Sequence, residues 1–282
     1  MTNIDLLCSR AAGLFVYAVT TVKFLDRKTY IPRDRLDVIL KHPESTAPEG
    51  KTWFNPKMTV DLLYMSILQA AFDEEDPDID PKVQDTIGTI VLLVNPLPPS
   101  AIAKLIGLES EEVILFLTLI QSLFAMDEDF SQPVKPFHKS FSDFITDSFC
   151  CTDPRFCVSP GPIHHKLAIN CLRIINDRLE QNLLSLPEYA LNSEIEDICA
   201  RISNRVGAAL QYACQSWHNH LAKTSGDVAD LVTHLQVFLN VKFFEWLEIL
   251  SVIGVVGGAA AGLEKLMSWL QEVCSWYFCF IV

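Results

Sequence analysis

The chain has 282 residues, of which half are hydrophobic and a fifth charged, which is typical of a folded globular protein and excludes a disordered one. Its 35 acidic residues outnumber the 22 basic ones and give a net charge of -13, which argues against sequence-independent binding to nucleic acid or anionic membranes. The nine cysteines follow no regular framework, and no secretory signal opens the chain, because the first residues include Asp5 and have no basic n-region. We therefore expect reduced thiols in a cytoplasmic protein.

The N-terminal part, residues 1–72, predicts a small helical lid. Residues 5–25 are mostly apolar, with an interruption at Gly13, and predict a mostly buried helix. The acidic stretch 73–81 (DEEDPDIDP) follows as a linker. Its alternating carboxylates are similar to a calcium loop, but the central glycine and closing glutamate of an EF-hand are missing.

Residues 82–148 carry the most specific pattern of the chain, a helix-turn-helix followed by a wing. A helix over 83–94 ends at a proline-rich turn, a short helix ends at Gly107, and a longer apolar helix begins after Ser110. The longer helix (ESEEVILFLTLIQS) contains no lysine or arginine, so it cannot neutralise DNA phosphates. We expect this winged helix to pack against protein and to bind no nucleic acid.

The wing is predicted from two short extended runs, 123–126 and 134–137, around the acidic turn DED. Ser140 with Asp143 three residues later predicts a capping box that opens the next helix. His138 falls between the second strand and this helix start, where backbone N–H groups favour an anion. The alternative is an ordinary histidine at the surface or the edge of the core.

The C-terminal half predicts helix after helix with short loops. After a linker at 149–162, residues 163–273 form the predicted all-α array, and an apolar tail at 274–282 closes the chain. The run 249–263 has 15 uncharged residues, fewer than the roughly 20 needed to cross a bilayer, so it predicts a buried helix. Membrane contact through 249–282 stays open as an alternative.

Motifs for catalysis and metal binding are missing from the sequence. It contains no GxxxxGK[ST] phosphate loop and no GxGxxG. The grouping of Cys150, Cys151, Cys157, His164 and His165 matches none of the usual zinc spacings. No cysteine is marked as a nucleophile by its neighbours. We therefore predict no catalytic residue and no metal site.

Several segments together point to one family. The segments PLPPSAIAKLIGL, EEVILFLTLIQSLFAM and PVKPFHKSFSDFI resemble the winged helix of fungal NACHT-domain proteins, which are STAND-class signalling NTPases related to NOD-like receptors. AAGLFVYA, residues 11–18, followed by VKFL, resembles the end of the NACHT nucleotide-binding region. HHKLAINCLRII, LQYACQSWHNHL and FFEWLEILSVIG resemble the helical segment that precedes WD40 or other repeats in many fungal members. The resemblance covers about residues 5–272.

The resemblance implies two contacts with a nucleotide. His138 in FHKSF matches the winged-helix histidine that touches the β-phosphate in relatives and holds the closed, ADP-bound state. Gly13, Leu14 and Phe15 match the place where many relatives have Gly-Leu-Pro beside the adenine, and Phe15 departs from that pattern. The family's phosphate loop, magnesium ligands and repeats are not in this sequence. We therefore expect a truncated piece of a longer protein.

The expected fold is mainly α, with a helical lid, a winged helix with a small β-wing and an all-α array. The expected function is that of a regulatory and scaffolding module, a winged-helix latch without NTPase activity of its own. ADP or ATP would bind only when a nucleotide-binding domain completes the site, and the partners would be a NACHT domain or a receptor oligomer. The alternatives are an adaptor that binds a related receptor in trans and a membrane-associated protein.

Overall fold

The computed structural model describes most of the chain. The described residues are 2–26, 32–41, 56–187, 194–226 and 228–279. Most of them are helical, and the only β-sheet within these ranges has two strands. The predicted mainly α fold class is therefore confirmed.

Fourteen α-helices, α1 to α14 in chain order, occur in the described ranges. They are Asn3–Ala11, Phe15–Leu25, Pro32–Lys41, Pro56–Ala71, Asp80–Leu92, Pro99–Ile106, Ser110–Leu119, Lys139–Ile145, Pro160–Arg178, Ile198–Arg201, Gly207–Leu221, Ala229–Val237, Phe243–Val252 and Gly258–Cys279. A 3₁₀ turn at Gln121–Leu123 precedes the sheet, and π-helical segments occupy Ile202–Val206 and Phe238–Lys242.

The chain divides into two compact units. The first contains Met1–Ile87 and Glu111–Val158, and the second contains Gly88–Ser110 and Ser159–Val282. Helix α5 contributes residues to both, and α6 belongs to the second unit. The division into six segments given by the sequence stays a prediction.

The wing of the first unit is a short antiparallel pair, β1 (Phe124–Ala125) and β2 (Lys135–Pro136). Phe124 lies opposite Pro136, and Ala125 lies opposite Lys135. Both strands are shorter than the predicted runs 123–126 and 134–137, but the predicted order of strand, acidic turn and strand is confirmed.

An aromatic cluster joins the wing to the rest of the first unit. The ring of Tyr64 on α4 lies 5.3 Å from Phe141 and 5.6 Å from Phe144 on α8. Phe124 on β1 lies 5.5 Å from Phe141. All four rings are buried, and aromatic pairs at these distances add to the free energy gained by burial. The cluster therefore fixes α8 and β1 against α4.

Aspartate side chains of the acidic linker accept hydrogen bonds from the linker's own backbone. Asp76 Oδ1 accepts hydrogen bonds from the backbone N–H groups of Asp78, at 2.9 Å, and Ile79, at 3.2 Å. Asp80 Oδ2 accepts the N–H of Asp76 at 3.3 Å. These bonds fix the turn that leads into α5, because they satisfy N–H groups just before its first residue, Asp80.

The second unit is built around α11, which buries ten of its side chains. Three aromatic rings form the core of this unit: Trp217 on α11, Phe238 in the π-helical segment before α13, and Trp246 on α13. Their ring centres lie 5.0 to 6.1 Å apart. Gly262 of α14 lies against His218, where an added Cβ would come within 3.0 Å of the imidazole Nδ1. The absence of a side chain at Gly262 therefore lets α14 approach α11 closely.

The prediction of one buried helix over residues 249–263 is wrong. Helix α13 ends at Val252, Gly254 adopts a left-handed conformation with φ of 76°, and α14 begins at Gly258. Residues 254–258 are exposed. Glycines adopt the left-handed conformation easily and weaken a helix interior, so the run breaks there. Among the described residues, no helix combines the length and apolarity needed to cross a bilayer. Residues 280–282 of the predicted tail lie outside the described residues.

Candidate functional site

His138 directly follows the wing and opens α8. Its backbone is extended, with φ of -145° and ψ of 146°, and its Nδ1 accepts the backbone N–H of Ser140 at 3.1 Å. The capping box predicted for Ser140 and Asp143 is therefore wrong. The helix begins one residue before Ser140, at Lys139, and the imidazole replaces the serine hydroxyl as its cap.

A chain of hydrogen bonds fixes the orientation of the His138 ring. The Ser140 Oγ lies 2.8 Å from His138 Nδ1 and 2.8 Å from the Tyr64 hydroxyl. Burial raises the pKa of Tyr64, so its phenol keeps its proton. Because Nδ1 of neutral His138 accepts the N–H of Ser140, the ring proton is on Nε2. The side chain is exposed, and its Nε2–H makes no hydrogen bond within the described part of the chain.

Three lysines lie near this histidine, two of them close to it in sequence and one in contact with the neighbouring Phe137. Lys23 Nζ on α2 lies 3.7 Å from the ring centre of Phe137, a cation–π contact, and partial burial lowers the pKa of Lys23. Lys135 and Lys139 are exposed, and neither makes an ion pair with another described residue. We call Lys23, Lys135, His138 and Lys139 the wing patch.

Lys23 was not singled out by the sequence. It lies far from His138 along the chain, in a helix that reads as a uniformly apolar element. Helix α2 packs against the 3₁₀ turn before β1, which brings Lys23 to the wing. No local pattern in the sequence predicts this contact.

Gly13, Leu14 and Phe15 lie at the break between α1 and α2. Gly13 has φ of 82°, Leu14 is the N-cap of α2, and the Phe15 side chain is 78% exposed. No hydrogen bond or ring contact among the described residues joins these three residues to His138.

The mostly buried helix predicted over residues 5–25 is wrong, although its interruption at Gly13 is confirmed. Helix α1 buries none of its residues. On α2 the buried residues are Tyr17, Thr20, Thr21 and Phe24, while Val22 is 61% exposed. Apolar composition indicated burial, but part of the apolar surface of these two helices is left uncovered.

The cysteine and histidine residues near the 149–162 linker are divided between the two units. Cys150, Cys151 and Cys157 belong to the first, and His164 and His165 to the second. Burial and a hydrogen bond to Asp147 raise the pKa of Cys150 to about 11. Over the described ranges, no three His, Cys, Asp or Glu side chains are grouped so as to hold a metal ion.

Comparison with known proteins identified no relative of this chain. No family model, curated protein or solved structure matches the chain. The resemblance to NACHT-domain proteins, and the roles it implies for His138 and for Gly13, Leu14 and Phe15, stay predictions.

Proposed function

We propose that this chain is a cytoplasmic regulatory and scaffolding module of a NACHT-type STAND signalling protein. Its winged helix would act as a latch that contacts the phosphates of ADP or ATP held by a nucleotide-binding domain. The wing patch is the observation that supports this function. Lys135 and Lys139 flank His138 in sequence and Lys23 contacts the neighbouring Phe137, in a chain whose net charge is -13.

The geometry of His138 suits contact with a phosphate. Because Nδ1 is used in capping α8, the exposed Nε2–H remains as a hydrogen-bond donor of fixed orientation. Lys135 and Lys139 lie beside it in sequence, and Lys23 approaches from α2. Hydrogen bonds to a charged phosphate oxygen are stronger than those between neutral groups. A polyphosphate would therefore be favoured over a neutral ligand.

The same residues do not suffice for hydrolysis. Phosphoryl transfer depends on a phosphate-binding loop and a metal ion that neutralises the developing charge. The 282 residues contain no phosphate-loop motif. We expect ATP turnover by the purified chain to equal that of a His138→Ala variant.

We expect ADP to shift the NMR signals of the wing patch. In a titration to millimolar ADP, the His138 Cε1–H signal and the Lys139 amide signal should move progressively, while adenosine should leave both unchanged. Substitution of Lys139 by methionine should weaken the response several-fold. Lys104→Met, which removes an exposed lysine of the second unit, is the matched control and should have no effect. Equal shifts with adenosine, or an unchanged Lys139 response in His138→Ala, would contradict the proposal.

A second candidate function, an adaptor that binds a related receptor in trans, is favoured by the surface of α1 and α2. Ile4 is 72% exposed, Phe15 78% and Val22 61%. Phe15 and Val22 are seven residues apart and so share one face of α2. Groups of exposed apolar side chains on a folded protein often mark sites of protein–protein contact.

For the adaptor, the test is co-purification with a separately produced NACHT domain. The Phe15→Ser, Val22→Ser double variant should lose most of the bound domain. Phe244→Ser, which changes an 80% exposed phenylalanine of the second unit, is the control and should retain it. A native chain that elutes as a monomer beside the NACHT domain would exclude this function.

A further inference from the structure

Two cysteine side chains meet in the loop after α8, in a segment that the proposed function does not use. Cys151 is buried, and its Sγ lies 3.9 Å from the carbonyl oxygen of Asp153. The backbone N–H of Cys157 donates to the same oxygen at 3.1 Å. The side chain of Cys157 is close enough to that of Cys151 to contribute to the raised pKa of the Cys151 thiol. Both are free, and Cys157 is half-buried.

Residues 151–158, which we call the strap, are fixed at one end by a buried ion pair. Arg155 Nη2 lies 2.8 Å from Asp153 Oδ2, and Arg155 Nη1 donates to the carbonyl of Phe72, just after α4, at 3.1 Å. Both charged side chains are largely buried, so their geometry is held more firmly than that of an exposed pair.

The other end of the strap is held by α5 and α8. Gln84 Nε2 on α5 donates to the Cys157 carbonyl at 2.6 Å. The backbone N–H of Val158 donates to the carbonyl of Ile145, the last residue of α8, at 2.8 Å. These bonds hold Cys157 next to Cys151 and leave the loop little freedom to separate them.

We propose that Cys151 and Cys157 form a reversible redox couple that closes to an intramolecular disulfide in the presence of glutathione disulfide. In reducing compartments, disulfides are mostly transient and sense the redox state. The neighbouring Cys150 is excluded from the couple because its thiol donates to Asp147, at 3.4 Å. The disulfide would lock the strap between α4, α5 and α8, the helix that His138 caps.

The order of the two steps follows from burial. Cys157 is the more exposed thiol, whereas Cys151 is buried and burial raises its pKa to about 12, so Cys157, once deprotonated, reacts first. It attacks one sulfur of glutathione disulfide, forming a mixed disulfide and releasing one glutathione thiolate. Cys151 then gives its proton to a glutathione thiolate and attacks Sγ of Cys157, expelling the second glutathione. Two protein thiols and one glutathione disulfide thus become one protein disulfide and two glutathione thiols.

Trypsin mapping tests the couple directly. The folded chain is equilibrated in glutathione buffers of rising oxidised fraction, alkylated, denatured and digested. Trypsin cleaves after Arg155, between the two cysteines, and yields residues 140–155 and 156–166. Oxidation should produce these two peptides as one linked species, two hydrogens lighter than their sum. Dithiothreitol should return it completely to separate peptides.

Serine variants assign the bond. Cys150→Ser should keep the linked species, and Cys151→Ser and Cys157→Ser should each lose it. Fragmentation of the Cys150→Ser peptide locates the bridge even if the other variants fold poorly. A native chain that never forms the linked species overturns the couple, as does a link that persists in Cys151→Ser.

Discussion

Replacement of Trp246 by alanine is expected to lower the free energy of unfolding of the second unit by about 3–5 kcal/mol. The side chain is 1% exposed, and its ring lies 6.1 Å from Trp217 and 5.4 Å from Phe238. Its Nε1–H donates to the carbonyl of Cys214 at 2.8 Å. The variant loses the transfer free energy of a large ring and leaves a cavity between α11 and α13. Urea unfolding followed by circular dichroism measures the loss.

A neighbouring position provides the matched control for Trp246. Phe244 is on the same helix but is 80% exposed, so Phe244→Ala is expected to change stability by less than about 0.5 kcal/mol. If the two alanine variants unfold at similar urea concentrations, the aromatic core described for the second unit is incorrect.

Trp246 and Trp217 differ in the hydrogen bonding of their indole N–H groups. Trp217 is 0% exposed, and its Nε1 has no hydrogen-bond partner among the described residues. Substitution by phenylalanine removes a hydrogen bond from Trp246 but only an unsatisfied donor from Trp217. Trp246→Phe is therefore expected to cost roughly 1 kcal/mol more than Trp217→Phe.

The parts of the fold that the sequence predicted correctly depend on local backbone chemistry. Helix α6 has proline in its first turn and is capped at its C-terminus by Gly107, which adopts a left-handed conformation with φ of 75°. The wing follows from two short extended runs around an acidic turn. Proline and glycine act at the positions where they occur, so their effect is predictable without knowing the tertiary neighbours.

The errors arose where tertiary contacts decide the outcome. Apolar composition predicted burial for residues 5–25 and 249–263, but burial requires a neighbouring surface, and composition does not say whether one is present. At the site, the sequence identified His138 but not its cap geometry. The packing of α2 brings Lys23 to the neighbouring Phe137, and α4 brings Tyr64 to Ser140. Contacts between residues so distant in sequence leave no periodic signal.

A buried pair of histidines in the second unit is expected to make its stability sensitive to acid. Val94 N–H donates to the Tyr212 hydroxyl at 3.1 Å, and that hydroxyl lies 2.6 Å from His220 Nε2. His220 Nδ1 lies 2.8 Å from His164 Nδ1. Burial keeps the Tyr212 phenol protonated by raising its pKa, so the phenol donates to His220, which then donates to His164. An added proton on either imidazole would place two hydrogens between the same pair of atoms, so that a hydrogen bond of this chain would be replaced by repulsion.

The surroundings of these histidines disfavour positive charge further. Burial, followed by repulsion from His164 and Lys223, lowers the pKa of His220 to about 3. Burial and Lys223 lower the pKa of His164 to about 4. His218, which is buried and near Lys265, also has its pKa lowered to about 4. All three therefore remain neutral in the folded unit at pH values where they bind protons in the unfolded chain.

The direction of the pH dependence follows from these lowered pKa values. Above about pH 6.5 the three imidazoles are neutral in both states, and the second unit has its full stability. Below that pH the unfolded chain takes up protons that the folded unit does not, so stability falls until the folded pKa values near 4 and 3 are reached. Each histidine contributes up to about 1.4 kcal/mol per pH unit in this range. Asp153 adds nothing between pH 7 and 5, because Arg155 holds its already low pKa below its usual range.

We expect the free energy of unfolding to fall by about 4–6 kcal/mol between pH 7 and pH 5, measured as urea midpoints in buffers of constant ionic strength. His218→Leu should remove about a third of this dependence while retaining most of the stability at pH 7, because the buried His218 Nδ1 has no hydrogen-bond partner among the described residues. His138→Gln, which changes an exposed histidine of the first unit, should leave the dependence intact. A stability that is constant between pH 7 and 5 would show that the three histidines take up protons in the folded unit as readily as in the unfolded chain, and so are charged at pH 5. The hydrogen-bond chain from Val94 to His164 would then be wrong, because charged imidazoles have no nitrogen left to accept.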